Sequence, residues 1–305
     1  MNLRDLRYLV AVAEHRHFGR AAEACHVSQP TLSAQLKKLE QYLGVQLVER
    51  SSKQIMLTTI GDDVARRARS MLNLADDIVE VARAASDPFA GDLRLGIIPT
   101  VAPYLLPYLM PAFERELPRL RPLLREEQTA ACLEKLRNGV IDVAVIAVPF
   151  EGADTFAQAT LYNEPFVLAA PAGHPLAERR DVTLADLVDA RVLLLEEGHC
   201  LRDQALSVCQ TVGAREAREF RATSLETLRQ MAAAGAGITL LPRMAAAADA
   251  TAVGHGRLVL RRFKAPQPHR QVAILWRKGS AREPTVQAIA DVIRALPEVR
   301  ALGEG

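Results

Sequence analysis

Phe18-Gly19-Arg20-Ala21-Ala22-Glu23-Ala24-Cys25-His26-Val27-Ser28-Gln29-Pro30-Thr31-Leu32-Ser33-Ala34-Gln35-Leu36-Lys37-Lys38-Leu39-Glu40 is the stretch on which the reading of this chain turns. It divides into two helices, Gly19 to Cys25 and Gln29 to Leu43, with His26-Val27-Ser28 as a tight turn between them. Leu3 to Glu14 reads as a further helix ahead of the pair. Ser28 is a good N-cap, and Pro30 suits a first helical turn, where its missing N–H costs nothing. Leu32, Leu36, Leu39 and Leu43 recur at helical spacing and predict one buried stripe. The opposite arc carries Pro30, Thr31, Ala34, Lys37, Lys38 and Gln41. Short polar side chains at a helix start, with lysines further along, suit a helix laid in the major groove, hydroxyls and amides reaching base edges and Lys37 meeting phosphate. Periodicity alone serves an ordinary solvated face equally well.

Outward from this module, the chain of 305 residues is long enough for two or three domains. Apolar residues make up 49% and charged residues 24%, which is globular and not disordered. A net charge of +2 excludes a polybasic binder as a description of the whole, yet residues 1–60 hold eight basic against five acidic side chains. Any nucleic-acid surface is therefore local. Four scattered cysteines, Cys25, Cys132, Cys200 and Cys209, do not make a secreted disulfide scaffold. The first residues carry charge where a signal peptide needs an apolar run, and no stretch is apolar for 18 residues. A cytoplasmic protein with reduced thiols and no membrane association is expected.

From Gly61 to about Ala85 a long helix is predicted, about 40 Å in length. Ile60, Val64, Ala68, Met71, Ala75, Ile78 and Ala82 form a narrow apolar stripe along it, for which a second copy is the simplest partner. Ser86 to Gly91 breaks it as a hinge. Beyond lies an α/β alternation, with strands expected at Leu93 to Ile98, Asp142 to Val148, Phe166 to Ala170, Arg191 to Leu195, Gly237 to Leu241 and Val272 to Trp276. Helices are expected at Tyr104 to Glu116, Ala130 to Asn138, Leu184 to Asp189, Leu201 to Val212 and Leu225 to Ala234. Mainly parallel sheets in two lobes follow from that pattern.

Two features of this region carry chemistry. Thr100 and Thr129 each follow a strand and precede a helix, where a hydroxyl beside free backbone N–H groups can hold a small polar ligand or simply cap the helix. In Gly198-His199-Cys200-Leu201-Arg202-Asp203-Gln204-Ala205, a helix starts near Cys200, and the helix start, His199 and Arg202 are surroundings that favour a thiolate. Spacing alone also allows Cys200 and Cys209 to be ordinary buried residues. No four-ligand cluster with zinc spacing is present, so no metal is expected.

The N-terminal run, with Leu39-Glu40, Leu43-Gly44-Val45 and Leu47-Val48-Glu49-Arg50, resembles the winged helix-turn-helix of LysR-type transcriptional regulators. Gly198 to Ala205 with Cys209, Phe220 to Leu228 and Gly237 to Pro242 extend the resemblance to the peroxide-sensing members of that family. It implies a winged helix-turn-helix at 1–60, a dimerisation linker helix at 61–86, a hinge at 87–91, and a regulatory domain similar to a periplasmic binding protein. One lobe of that domain would be 92–164 with 270–305, the other 165–269, with crossovers near Glu164 and His269. By resemblance Ser28, Gln29, Pro30, Thr31 and Ser33 face bases or flanking phosphates, and Arg50 the backbone or minor groove. Cys200 is implied as the peroxidatic and Cys209 as the resolving cysteine, with Thr100, Thr129, His199 and Arg270 around hydrogen peroxide, and with Cys25 and Cys132 structural. No cofactor is implied. Promoter DNA, a homo-oligomer built as a dimer of dimers, and RNA polymerase are the implied partners, and the implied role is regulation of oxidative-stress genes rather than enzyme catalysis. The alternatives are a regulator that binds a small metabolite between the lobes and, in another class, a thiol peroxidase.

Overall fold

Local caps set the limits of the N-terminal helices in the computed structural model, which describes residues 1–50, 55–84, 87–150, 152–247 and 258–303. Helix α1 (Leu3–His15) opens on a reciprocal cap between Asn2 and Asp5 and stops where Arg16 turns left-handed. In α2 (Phe18–Ala24) the His17 ring nitrogen accepts from the N–H groups of Gly19 and Arg20. Ser28 Oγ accepts from the N–H of Thr31 at the head of α3 (Gln29–Leu43), which ends at Gly44 with φ 68. A cap of this kind is worth about 1 kcal/mol. Leu32, Leu36 and Leu39 of the predicted stripe are sealed against Leu9, Val12, Ala21 and Leu47, and Leu43, at the helix end, is only partly buried. The hairpin of β1 (Val48–Arg50) and β2 (Ile55–Leu57) forms the wing. Its entry is pinned by Glu40, whose Oε1 accepts from the N–H groups of Leu47 and Val48 at 2.9 and 3.2 Å. Glycine is required at 61, because a Cβ there would lie 2.0 Å from the carbonyl oxygen of Leu47.

Helix α4 (Thr59–Ala84) divides its apolar face, which corrects the single stripe expected from the sequence. Ala65 and Ala68 are buried within their own module. Met71 and Ile78 stay exposed, joined by Leu74 and Val79. Phase explains the change: α1 packs along α4, and Met71, Leu74, Ile78 and Val79 face away from the covered side.

Contacts separate the chain into one unit of residues 1–86 with 138–140 and another of 87–137 with 141–305. The second unit begins with β3 (Gly91–Ile97), α5 (Ala102–Glu116), β4 (Leu120–Glu126), α6 (Thr129–Arg137), β5 (Val143–Val148) and β6 (Phe156–Pro171). It continues through β7 (Asp181–Val182), β8 (Arg191–Leu195), α7 (Cys200–Val212), β9 (Arg215–Ala222), α8 (Leu225–Ala233), β10 (Thr239–Pro242) and α9 (Arg243–Ala247). Strands β11 (Leu258–Phe263) and β12 (His269–Arg277) and helices α10 (Glu283–Ala295) and α11 (Pro297–Arg300) complete it. The Leu184 to Asp189 helix is a 3-10 turn at Leu184–Leu187.

The expectation of mainly parallel sheets fails at the centre of the fold. Strands β4, β3 and β5 are parallel, but β12 runs antiparallel to both β5 and β6. Strand β6 is 16 residues long, where the sequence reading had a strand only from Phe166. Its first part pairs with β12 and its last part with β10 and β11, all antiparallel. One strand leads from the first half of the unit into the second and the other leads back, so the two must run in opposite directions. Two hydrophobic cores result: one under β3, β5, β12, α5 and α10, the other under the end of β6, β8, α7, α8 and β10.

Candidate functional site

Cys200 is the first residue of α7 and half-buried, and it packs on the first core, whereas Leu201, Ala205 and Cys209 of the same helix belong to the second. The thiol therefore sits where the two cores meet. With Ile98, Pro99, Thr100, Gln128, Thr129, Gly198 and His199 it lines a narrow, tight pocket. Beside it, sharing Pro99, Thr100 and His199, opens a wider cleft whose walls include Tyr104, Glu126, Ser224 and Arg229.

Neither threonine is a simple helix cap. The N-cap of α5 is Val101, not Thr100. Thr100 is buried, and its Oγ1 accepts from Nη1 of Arg270 at 2.9 Å while its carbonyl oxygen accepts from Nη2 at 2.9 Å. Thr129, the first residue of α6, has a buried hydroxyl oxygen with no hydrogen-bond partner among the described residues, and it lines the pocket. His199 is the buried N-cap of α7 without a capping side-chain bond; its Nε2 lies 3.4 Å from Nε2 of Gln128. Gly198 allows this approach: its φ is 96, and a Cβ would meet Gln128 Oε1 at 2.9 Å.

Arg270, the second residue of β12, stands directly opposite Glu164 of β6. Its Nε and Nη2 lie 2.9 and 2.8 Å from Glu164 Oε2, and both side chains are fully buried. Burial by itself works against the guanidinium charge, but Glu164, then Tyr162 and Cys200, outweigh it and hold the Arg270 pKa above its ordinary value. Arg202 does not serve the thiol as the sequence suggested. It turns to β9, where its Nη2 lies 3.1 Å from Glu216 Oε1. Proximity along the helix overstated its role, since a buried arginine turns to the carboxylate within its reach.

All four cysteines are free. Burial pushes the Cys209 thiol up to about 11, and burial with Glu127 nearby pushes Cys132 up to about 12. Cys25, in the N-terminal unit, is also raised by burial. Along α7, Leu201, Arg202, Ala205 and Cys209 are buried, while Val208 and Val212 are only partly so. Cys200 and Cys209 thus stand on one continuous helix, nine residues and about 13.5 Å apart along its axis. Sequence reasoning missed Gln128, although it directly precedes Thr129, and it saw in Glu164 only a crossover.

On the N-terminal unit, Ser28, Gln29, Pro30, Thr31 and Lys37 are exposed at the start and along the outer surface of α3, and Ser33 is half-buried. The hydroxyls of Ser28 and Thr31 lie 2.8 Å apart. The Arg50 side chain lies outside the described residues.

Residues 3–62 match the signature described as "Bacterial regulatory helix-turn-helix protein, lysR family", and residues 86–297 match "LysR substrate binding domain". The chain belongs to the LysR family. This LysR-family chain is 46% identical over 294 residues to a hydrogen peroxide-inducible genes activator of Dickeya chrysanthemi, covering 96% of this chain and 95% of that protein. Its fold is similar to that of a full-length OxyR variant from Pseudomonas aeruginosa, with TM-score 0.78, 41% identity, and 98% and 97% of the two chains covered. A hydrogen peroxide-bound OxyR variant from Corynebacterium glutamicum superposes with TM-score 0.68 at 35% identity, covering 99% and 95%. A LysR helix-turn-helix makes it a DNA-binding transcription regulator. Among the described residues no helix is long and apolar enough to cross a membrane, and no cluster of His, Cys, Asp or Glu is arranged to hold a metal.

Proposed function

We propose that this LysR-family protein is a transcription regulator switched by hydrogen peroxide. The observation that carries the reading is the half-buried Cys200 at a helix start, in a pocket with Thr100, His199 and the unpartnered hydroxyl of Thr129. A thiolate at Cys200 attacks one peroxide oxygen; the S–O bond forms, the O–O bond breaks, and the departing hydroxide takes a proton to become water. The resulting sulfenic acid is then attacked by the Cys209 sulfur, after Cys209 has given up its proton. The S–S bond forms, and the S–O bond breaks with loss of water.

That second step requires movement. A disulfide allows at most about 7 Å between Cα atoms, and the intact helix holds the two residues about 13.5 Å apart. Helix α7 must unwind for the bridge to close. The switch is then the repacking of that segment between the lobes, which we assign to 92–164 with 270–305 and to 165–269.

The regulator binds promoter DNA through α3, with Gln29, Thr31 and Ser33 at bases, Ser28 and Pro30 at the helix start beside them, and Lys37 and Arg50 at phosphates. It works as a homo-oligomer, a dimer of dimers joined first through α4, and meets RNA polymerase at the promoter. It acts in the cytoplasm and needs no cofactor.

Thiol counting before and after one equivalent of peroxide, with peptide mapping by mass spectrometry, tests the redox reading. A bridge between positions 200 and 209 is expected in the wild type. Cys200→Ser abolishes the peroxide-induced change in DNA binding, Cys209→Ser traps a sulfenic acid without locking the switched form, and Cys25→Ser and Cys132→Ser respond normally. A second reading, a regulator that binds a small metabolite, draws on the wider cleft lined by Tyr104, Glu126, Ser224 and Arg229. A peroxide response that survives in Cys200→Ser favours it.

A further inference from the structure

We propose that Glu164 is a positioning residue for peroxide reduction at Cys200: it fixes Arg270, and through Arg270 it fixes which way the Thr100 hydroxyl points. This rests on the peroxide reading above and adds a residue that touches neither thiol nor pocket.

The hydrogen bonds around Thr100 leave one arrangement. A guanidinium has five N–H donors and no acceptor. Arg270 Nη1 lies 2.9 Å from Thr100 Oγ1, so the threonine oxygen must accept there and keeps its own proton. No acceptor among the described residues takes that proton, and the side chain lines the pocket that holds Cys200. The Thr100 O–H is therefore left to donate toward a ligand in the pocket. During O–O cleavage the charge develops on the departing oxygen, where a donor fixed in advance has its largest effect.

The arrangement depends on Glu164. Its Oε2 holds Nε and Nη2 of Arg270 on one side, and its Oε1 accepts from the N–H of Met244 at 2.9 Å on the other. The carboxylate is thus tied to β12 and to the start of α9 while standing on β6, and the guanidinium plane has one orientation. Nη2 is held in addition by the carbonyl oxygen of Thr100. Without the carboxylate the guanidinium is free to swing, and the threonine hydroxyl can then turn its proton away from the pocket.

The test measures the second-order rate of Cys200 oxidation by hydrogen peroxide, with dimedone trapping in the full-length protein, beside the rate of Cys200 alkylation by iodoacetamide, which breaks no O–O bond. Glu164→Gln should lower the peroxide rate about tenfold or more while alkylation stays within about twofold. Because a buried arginine without its partner is costly, Glu164→Asp is the companion variant: it keeps the charge for folding but withdraws the carboxylate from Nε, and should show the same selective loss. Thr100→Val should lose a similar factor, and adding Glu164→Asp to it should cost nothing further, as expected for two groups acting in one chain. An unchanged peroxide rate in both Glu164 variants overturns the proposal, as does an equal fall in peroxide and alkylation rates, or losses that multiply in the double variant. If wild-type Cys200 reacts with peroxide no faster than a free thiol, the peroxide reading itself fails, and the proposal with it, before any variant is made.

Discussion

At Cys209 and Cys132 the protein treats a thiol as a small hydrophobe: both are buried in the cores, and burial holds their pKa near 11 and 12 against an ordinary value of 9.0. In the unfolded chain these thiols ionise first, so between about 9 and about 11 the unfolded state has given up protons that the folded state keeps. Stability from this source is fully present below pH 9 and falls as pH rises through that window. Thermal melts of the reduced protein from pH 7 to 10.5 should show it, and the double variant Cys132→Ala, Cys209→Ala should have a shallower alkaline decline than wild type. An identical slope would mean that the two thiols are open to solvent. In the proposed switch the same burial would keep Cys209 unreactive until α7 opens.

At the scale of elements, α7 and α3 carry separate expectations. Peroxide treatment should remove hydrogen-exchange protection from backbone amides between 200 and 209, because the bridge cannot form on an intact helix. A bridge with α7 still protected would sink the switching argument while leaving the redox assignment in place. On α3, the exposed polar arc predicts two kinds of variant. Lys37→Ala should weaken binding to all DNA sequences and lower the salt slope by about one unit. Thr31→Ala should alter base preference, by about 1–3 kcal/mol for a direct contact. Unchanged operator affinity in a Gln29→Ala, Thr31→Ala double variant would count against this docking.

For the whole molecule, the exposed apolar side chains of α4 are the feature that asks for another copy. Met71 and Ile78 are 46% and 71% exposed, and Leu74 and Val79 extend the patch. An ion placed in such a seam loses its hydration without gaining a partner. Sedimentation of Ile78→Asp should therefore show monomers where the wild type sediments as an oligomer. An intact oligomer would move the interface elsewhere.

How much of this was legible in the chain follows from the range of each interaction. Caps, turns and helical stripes are local, so Ser28, Pro30, the leucines of α3, the start of α7 and the placing of Cys200 and Cys209 on one helix could all be read from neighbours a few residues apart. So could the helix-turn-helix. What needed the tertiary structure joins distant segments. Thr100 and Arg270 meet across 170 positions and Glu164 and Arg270 across 106, so no spacing announces that the threonine is an acceptor or that its guanidinium partner is itself held. Arg202 turning to Glu216, the division of α4's apolar face, and the antiparallel course of β6 and β12 belong to the same class. In each, the partner of a buried polar or apolar group is chosen by which distant element covers it, and burial makes that choice strict, because an unpaired charge inside the fold costs more than the chain can spare.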